Sequence, residues 1–119
     1  QGRFASPQSV ETVVDTLSDE LEDGGEGVQL LEFGPSDIER VAIVTGSGVD
    51  WLDEAIAADT DLLISGEGKQ QVYHQAREAG ITVLLAGHYA SETFGVRSLQ
   101  QLADSWELST SYHSHPTGL

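Results

Sequence analysis

His88 and Glu92 are the two residues whose types and spacing point most directly to chemistry. An imidazole nitrogen and a carboxylate oxygen both serve as ligands for a divalent cation. His88 directly follows an apolar run and the pair Ala86-Gly87. A helix starting near Tyr89 places positions 88 and 92 one turn apart on the same side. The chain has no Cys, so thiolate ligands are excluded and any metal takes nitrogen and oxygen donors. Zinc, iron, manganese and nickel all accept that set, and the pair does not choose among them. A catalytic metal normally has at least three protein ligands, so the remaining ones must come from elsewhere. The same spacing on an exposed helix also describes a plain surface hydrogen bond. What favours ligation is the place of His88 at the end of a buried strand, beside two polar, glycine-rich loops.

The first of those loops is Thr45-Gly46-Ser47-Gly48. Backbone N–H groups at such a turn can cradle an anion where a helix starts, with Thr45 and Ser47 adding hydroxyls. It is not a dinucleotide fingerprint, because Trp51 stands where the third glycine belongs. It is not a P-loop either, because no Gly-Lys-Ser/Thr follows. A tight strand-to-helix turn without a ligand is the competing reading. The second loop, Ser65-Gly66-Glu67-Gly68-Lys69, carries the only lysine of the chain. Its head group is expected to hold a substrate phosphate or carboxylate beside Glu67, unless the two form a simple surface pair. Thr45, Ser47, Glu67 and Lys69 are therefore the candidate substrate-binding residues. His74 reads as a packing or surface residue, and His113 and His115 as part of a structural tail rather than a metal clip. Trp51, Phe94, Trp106 and Tyr112 read as core and interface aromatics. No Gly-x-Ser-x-Gly nucleophile elbow and no Cys nucleophile exist.

These groups need elements to position them. Residues 1–7 show no periodicity and read as a linker. Val10, Val13, Val14, Leu17 and Leu21 form a helical stripe over 9–22, and 23–27 is turn chemistry. Strands are expected at 28–33, 38–44, 61–64, 81–85 and 106–112. Helices are expected from about 50, capped by Asp50, and at 69–79 and 89–105, the second of these three closed by Gly80. The run Val41-Ala42-Ile43-Val44 is apolar on both faces, as in the middle of a covered sheet. Alternation of strand and helix predicts a layered α/β sheet over residues 8–119, a single domain. Ligands of open α/β sheets sit beyond the C-terminal strand ends, where all three polar loops fall.

Composition narrows the class. The chain has 119 residues, 39% of them hydrophobic, enough to bury a core. No stretch is long enough to cross a bilayer, and no signal peptide is visible. The chain has no Met. A reading frame starts with Met, and Gln at the second position blocks its removal, so Gln1 is expected not to be the natural start. Twenty acids against five bases give a net charge of −15. That field repels phosphate backbones, which argues against nucleic acid as a partner. The acids are interspersed with patterned apolar segments, unlike a disordered acidic tail. Acid-rich, lysine-poor surfaces resemble those of proteins from salt-loving archaea, where concentrated salt screens self-repulsion. A cytoplasmic location is expected.

The blocks Val41-Ala-Ile-Val-Thr-Gly-Ser-Gly48, Ile64-Ser-Gly-Glu67, Ala86-Gly-His88-Tyr-Ala-Ser-Glu92-Thr-Phe-Gly-Val96 and His115-Pro-Thr-Gly-Leu119 together resemble the Nif-three-like dinuclear metal-centre family. Its members are also called homologues of a type-two GTP cyclohydrolase I. The likeness runs from about Val28 to Leu119, and the Gly-His-Tyr-x-x-Glu-Thr-Phe-Gly-Val block is its most specific part. The resemblance implies one lobe of a two-lobed α/β protein about twice this length. It implies two divalent metal ions in the cleft between lobes, and assembly into a homohexamer. It maps the C-terminal metal ligands onto His88 and Glu92, with Glu92 the better candidate to bridge both metals and to take part in catalysis. The family's His-His pair and Asp have no counterpart in this chain. Hydrolysis of a nucleotide ring or of another small phosphorylated substrate is one implied role, since paired metals activate water and clamp phosphate. Metal handling, or an oligomeric scaffold without turnover, is the other, and the isolated chain is expected to be inactive.

Overall fold

The computed structural model describes residues 1–21 and 27–117. Five strands form one mixed sheet in the order β1-β3-β4-β5-β2. Its centre is β3 (Asp37–Val44), β4 (Leu62–Ser65) and β5 (Thr82–Leu85), mutually parallel. Its edges are β1 (Gly2–Ser9), antiparallel to β3, and β2 (Gln29–Leu31), antiparallel to β5. The helices are α1 (Val10–Glu20), α2 (Leu52–Ala57), α3 (Gln70–Ala79) and α4 (His88–Ser105). This is the layered α/β sheet that strand–helix alternation predicts.

The sheet has two apolar faces because the second half of β3 (Val41 to Val44) and most of β4 and β5 are apolar at successive positions. Ala42, Leu63, Val83 and Leu85 pack with Val49, Leu52 and Ala55 near α2 and with Val72 and Ala76 of α3. Ile38, Val41, Leu62, Ile64 and Leu84 pack on the opposite face against Val10 and Val13 of α1. Local signals set the helix ends. The Ser9 hydroxyl accepts the N–H of Thr12 at 3.1 Å at the start of α1. Gly80 closes α3 at φ 69°, a left-handed backbone that glycine adopts without a Cβ clash. Among the described residues, no helix is long and apolar enough to cross a membrane.

Several expectations need correction. Residues 1–7 are not a linker: Gly2–Ser9 is an edge strand, with Gly2 opposite Val41 and Arg3 opposite Arg40. The register shifts between Arg3 and Gln8, and pairing resumes with Gln8 opposite Ile38. Pro7 is tolerated there because one edge of an outer strand needs no ladder donors. Residues 106–112 are not a strand. Trp106 and Glu107 turn out of α4, with Glu107 at φ 60°. The chain then runs back along that helix, where Gln100 meets Thr110, Arg97 lies over the Tyr112 ring and the Tyr89 hydroxyl accepts the N–H of His115 at 2.7 Å. This segment pairs with neither edge strand of the sheet, β1 or β2. Asp50 does not cap a helix. It lies inside a short 3-10 turn, Gly48–Trp51, and pairs with Lys69. Trp51 and Trp106 are exposed rather than in the core. Most of the turn expected at 23–27 lies outside the described residues, as do the last two residues of the His-Pro-Thr-Gly-Leu ending.

Leu63 sits in the central strand and has no exposed surface. Leu63→Ala is expected to cost about 2–5 kcal/mol in urea denaturation, the usual range for a sealed core leucine. A loss under about 1 kcal/mol would show that the face is not tightly packed.

Candidate metal site at the strand ends

The register of the parallel strands brings the loops together. Val44, Ser65 and Leu85 lie side by side as the last paired residues of β3, β4 and β5. The loops that follow are then joined by backbone bonds. The Gly46 carbonyl accepts the N–H groups of Gly66 and Glu67, both at 3.0 Å. The N–H of Gly87 donates to the Gly66 carbonyl at 2.8 Å. The N–H of Gly46 donates to the Ser91 hydroxyl at 3.1 Å, and that hydroxyl donates to the His88 carbonyl at 3.0 Å. Ser91, buried in α4, thereby locks the first turn of the helix that carries His88 and Glu92.

Close approach makes two glycines necessary. A Cβ on Gly66 would lie 2.5 Å from the Gly46 carbonyl oxygen and 2.8 Å from the His88 Cα. Gly46 has φ 63°, and a Cβ there would lie 2.7 Å from Glu92 Oε1 and 3.2 Å from His88 Nε2. The space beside the His–Glu pair exists because residue 46 has no side chain.

Within this frame His88 lies between two carboxylates. Its Nδ1 is 3.1 Å from Glu67 Oε1, and its Nε2 is 3.4 Å from Glu92 Oε1. Ser47 donates its hydroxyl to the same Glu67 oxygen. The Ser47 hydrogen bond, and after it the one from His88, hold the Glu67 carboxyl below the usual carboxylate range. Two ligand atoms about 2.0–2.1 Å from one tetrahedral ion lie roughly 3.3–3.4 Å apart. The His88 Nε2–Glu92 Oε1 distance of 3.4 Å matches that spacing. Among the described residues, no group of three or more His, Asp or Glu side chains forms a metal-binding cluster.

The expected substrate-side residues are divided. Ser47 and Glu67 are in contact with each other, and Glu67 with His88. Lys69 pairs with Asp50 rather than with Glu67, so its head group is already neutralised. Thr45 lines an apolar trough of about 670 Å³ together with Ile43, Ile64, Phe94 and Leu99, and Glu92 stands on its wall. Ile43 is 63% exposed there despite lying on a central strand's apolar face. The N–H of Gly46 is committed to Ser91, which weakens the case for an anion cradle at residues 45–48. Sequence reasoning missed Ser91, whose signal is its place three residues after His88 in the first turn of α4. His113 and His115 belong to the returning tail, as expected of a structural segment.

The family model for Duf34/NIF3 (NGG1p interacting factor 3) matches residues 1–114. The chain belongs to the Duf34/NIF3 family. A GTP cyclohydrolase 1 type 2 homolog of Halobacterium salinarum is 51% identical over 119 residues, covering 100% of this chain and 47% of that protein. A protein of the same name from Pyrococcus horikoshii is 35% identical, covering 99% of this chain and 46% of its own length. The solved structure of TTHA1606 from Thermus thermophilus matches with a TM-score of 0.85 at 35% identity, over 99% of this chain and 47% of that one. Protein ybgI, of unknown function, matches with a TM-score of 0.87 at 28% identity and the same coverage. This Duf34/NIF3 chain thus spans about half the length of the curated relatives it matches.

The two glycines give an ordering. Gly66→Ala meets backbone atoms that cannot move aside, whereas Gly46→Ala meets the end of the half-exposed Glu92 side chain and adds left-handed strain of about 1–2 kcal/mol. Thermal unfolding followed by circular dichroism should show Gly66→Ala as the more destabilised variant. The reverse order would contradict the loop packing described.

Proposed function

We propose that this chain contributes His88 and Glu92 to a dinuclear divalent-metal centre of a hydrolase-like protein, the remaining ligands coming from polypeptide outside these 119 residues. The observation that carries the reading is the 3.4 Å separation of His88 Nε2 and Glu92 Oε1, at the strand ends where three loops converge. The donor set of one imidazole and one carboxylate suits zinc, iron, manganese or nickel. Glu92, the more exposed of the two carboxylates beside His88, is the candidate to reach a second ion. When bound, such ions supply Lewis acidity and activate water for attack on a phosphorylated or heterocyclic substrate.

This chain's own residues hold and orient. Ser91 fixes the helix start, Gly46 keeps space open beside the pair, and Thr45 borders the trough that leads to Glu92. The GTP cyclohydrolase name carried by the relatives supports nucleotide ring hydrolysis as the reaction to test first. The exposed apolar residues Val96, Leu99 and Leu102 of α4 support further subunit or lobe contacts, including the homohexamer that the family resemblance implies. The pairing of Lys69 with Asp50 favours a second reading, in which the protein handles metal without turnover, because that cation is not free to grip a phosphate.

His88→Ala in the complete protein is expected to lower bound metal well below the wild-type stoichiometry by elemental analysis. Unchanged stoichiometry would refute the ligand assignment. With defined metal loading, turnover of GTP supports the hydrolase reading. Metal transfer to a chelating acceptor with GTP left intact supports the second.

A further inference from the structure

We infer that Glu67 is a positioning residue for His88: it holds the imidazole as the Nδ1–H tautomer and so leaves the Nε2 lone pair aimed at the position shared with Glu92. The inference rests on the metal reading above and assigns Glu67 a role other than substrate binding.

An ionised carboxylate has no hydrogen to give, so a hydrogen bond across the 3.1 Å between His88 Nδ1 and Glu67 Oε1 puts the hydrogen on Nδ1. A neutral imidazole carries only one, so Nε2 is then bare. The Glu92 oxygen facing it at 3.4 Å is also an acceptor. Two such atoms repel unless a cation or a proton lies between them. The opposite tautomer would turn a lone pair on Nδ1 towards Glu67 instead, so the two carboxylates compete for the one hydrogen.

Three features favour Glu67. Its contact is the shorter one. Its carboxylate is less exposed, at 40% against 55% for Glu92. Its position is fixed at both ends, since its backbone N–H donates to the Gly46 carbonyl and its Oε1 accepts from Ser47. A carboxylate on the far nitrogen of a ligating histidine orients the ring and raises its basicity as a donor. Lys69, next in the loop but one, is turned to Asp50 and leaves the Glu67 charge for His88.

The test uses the complete protein, metal-free and labelled with ¹⁵N-histidine, held above the histidine titration range. Long-range proton–nitrogen spectra report the tautomer, and His88→Ala in the same protein identifies the resonance. The wild type is expected to show His88 as Nδ1–H. Glu67→Ala is expected to shift it towards Nε2–H and to weaken Zn²⁺ binding, measured by chelator competition, about 10–100-fold. Glu67→Gln keeps an acceptor oxygen and is expected to retain the wild-type tautomer. A wild-type Nε2–H tautomer, or Glu67→Ala with tautomer and Zn²⁺ affinity unchanged, overturns the inference. If the wild type takes up no Zn²⁺ but Glu67→Ala still switches the tautomer, the positioning role stands and the metal reading fails.

Discussion

The backbone of Gly46 is the joint on which the site depends. Its carbonyl takes two N–H groups from the loop after β4, and its own N–H reaches Ser91 on α4. One residue therefore ties together the segments after three parallel strands. A buried carbonyl is costly to leave without donors, so this arrangement resists loosening. The glycines follow from it. Backbones this close leave no room for a Cβ at 66, and the left-handed turn at 46 excludes one on the side that faces His88 and Glu92. Loop geometry and site geometry are one constraint.

Charge gives that constraint its chemical meaning. A chain of net charge −15 places two more carboxylates around one imidazole and commits its only lysine to Asp50. Negative groups gathered at a strand edge favour a cation among them. Glu67 and Glu92 differ in setting. The first is held by Ser47 and the backbone, and the second stands more open beside the trough. That difference in setting is what the separate roles proposed for Glu67 and Glu92 rest on.

The trough shows the other side of the same design. Face positions of the central strands are sealed by α1 at one end, while Ile43 and Ile64 at the other end border open space with Phe94 and Leu99. Apolar surface of this kind on a central strand is what a further layer would cover.

The parallel core and its helices are legible in the sequence because their signals are local. Apolar runs bounded by glycine mark β3, β4 and β5, the stripe at 10, 13, 14 and 17 marks α1, and Gly80 ends α3. The spacing of His88 and Glu92 likewise places them on one side of a helix without any tertiary information. Residues 2–9 and 106–112 are not legible in this way, because strand formation depends on a free neighbouring edge, which composition does not reveal. The partners of Lys69 and Glu67 lie about twenty residues away in the chain, and only the parallel register brings Asp50, Ser47 and His88 to them. Residue types and helical spacing were thus determined by the sequence alone. Which carboxylate faces which nitrogen was decided by the tertiary structure, because strand alignment sets those distances.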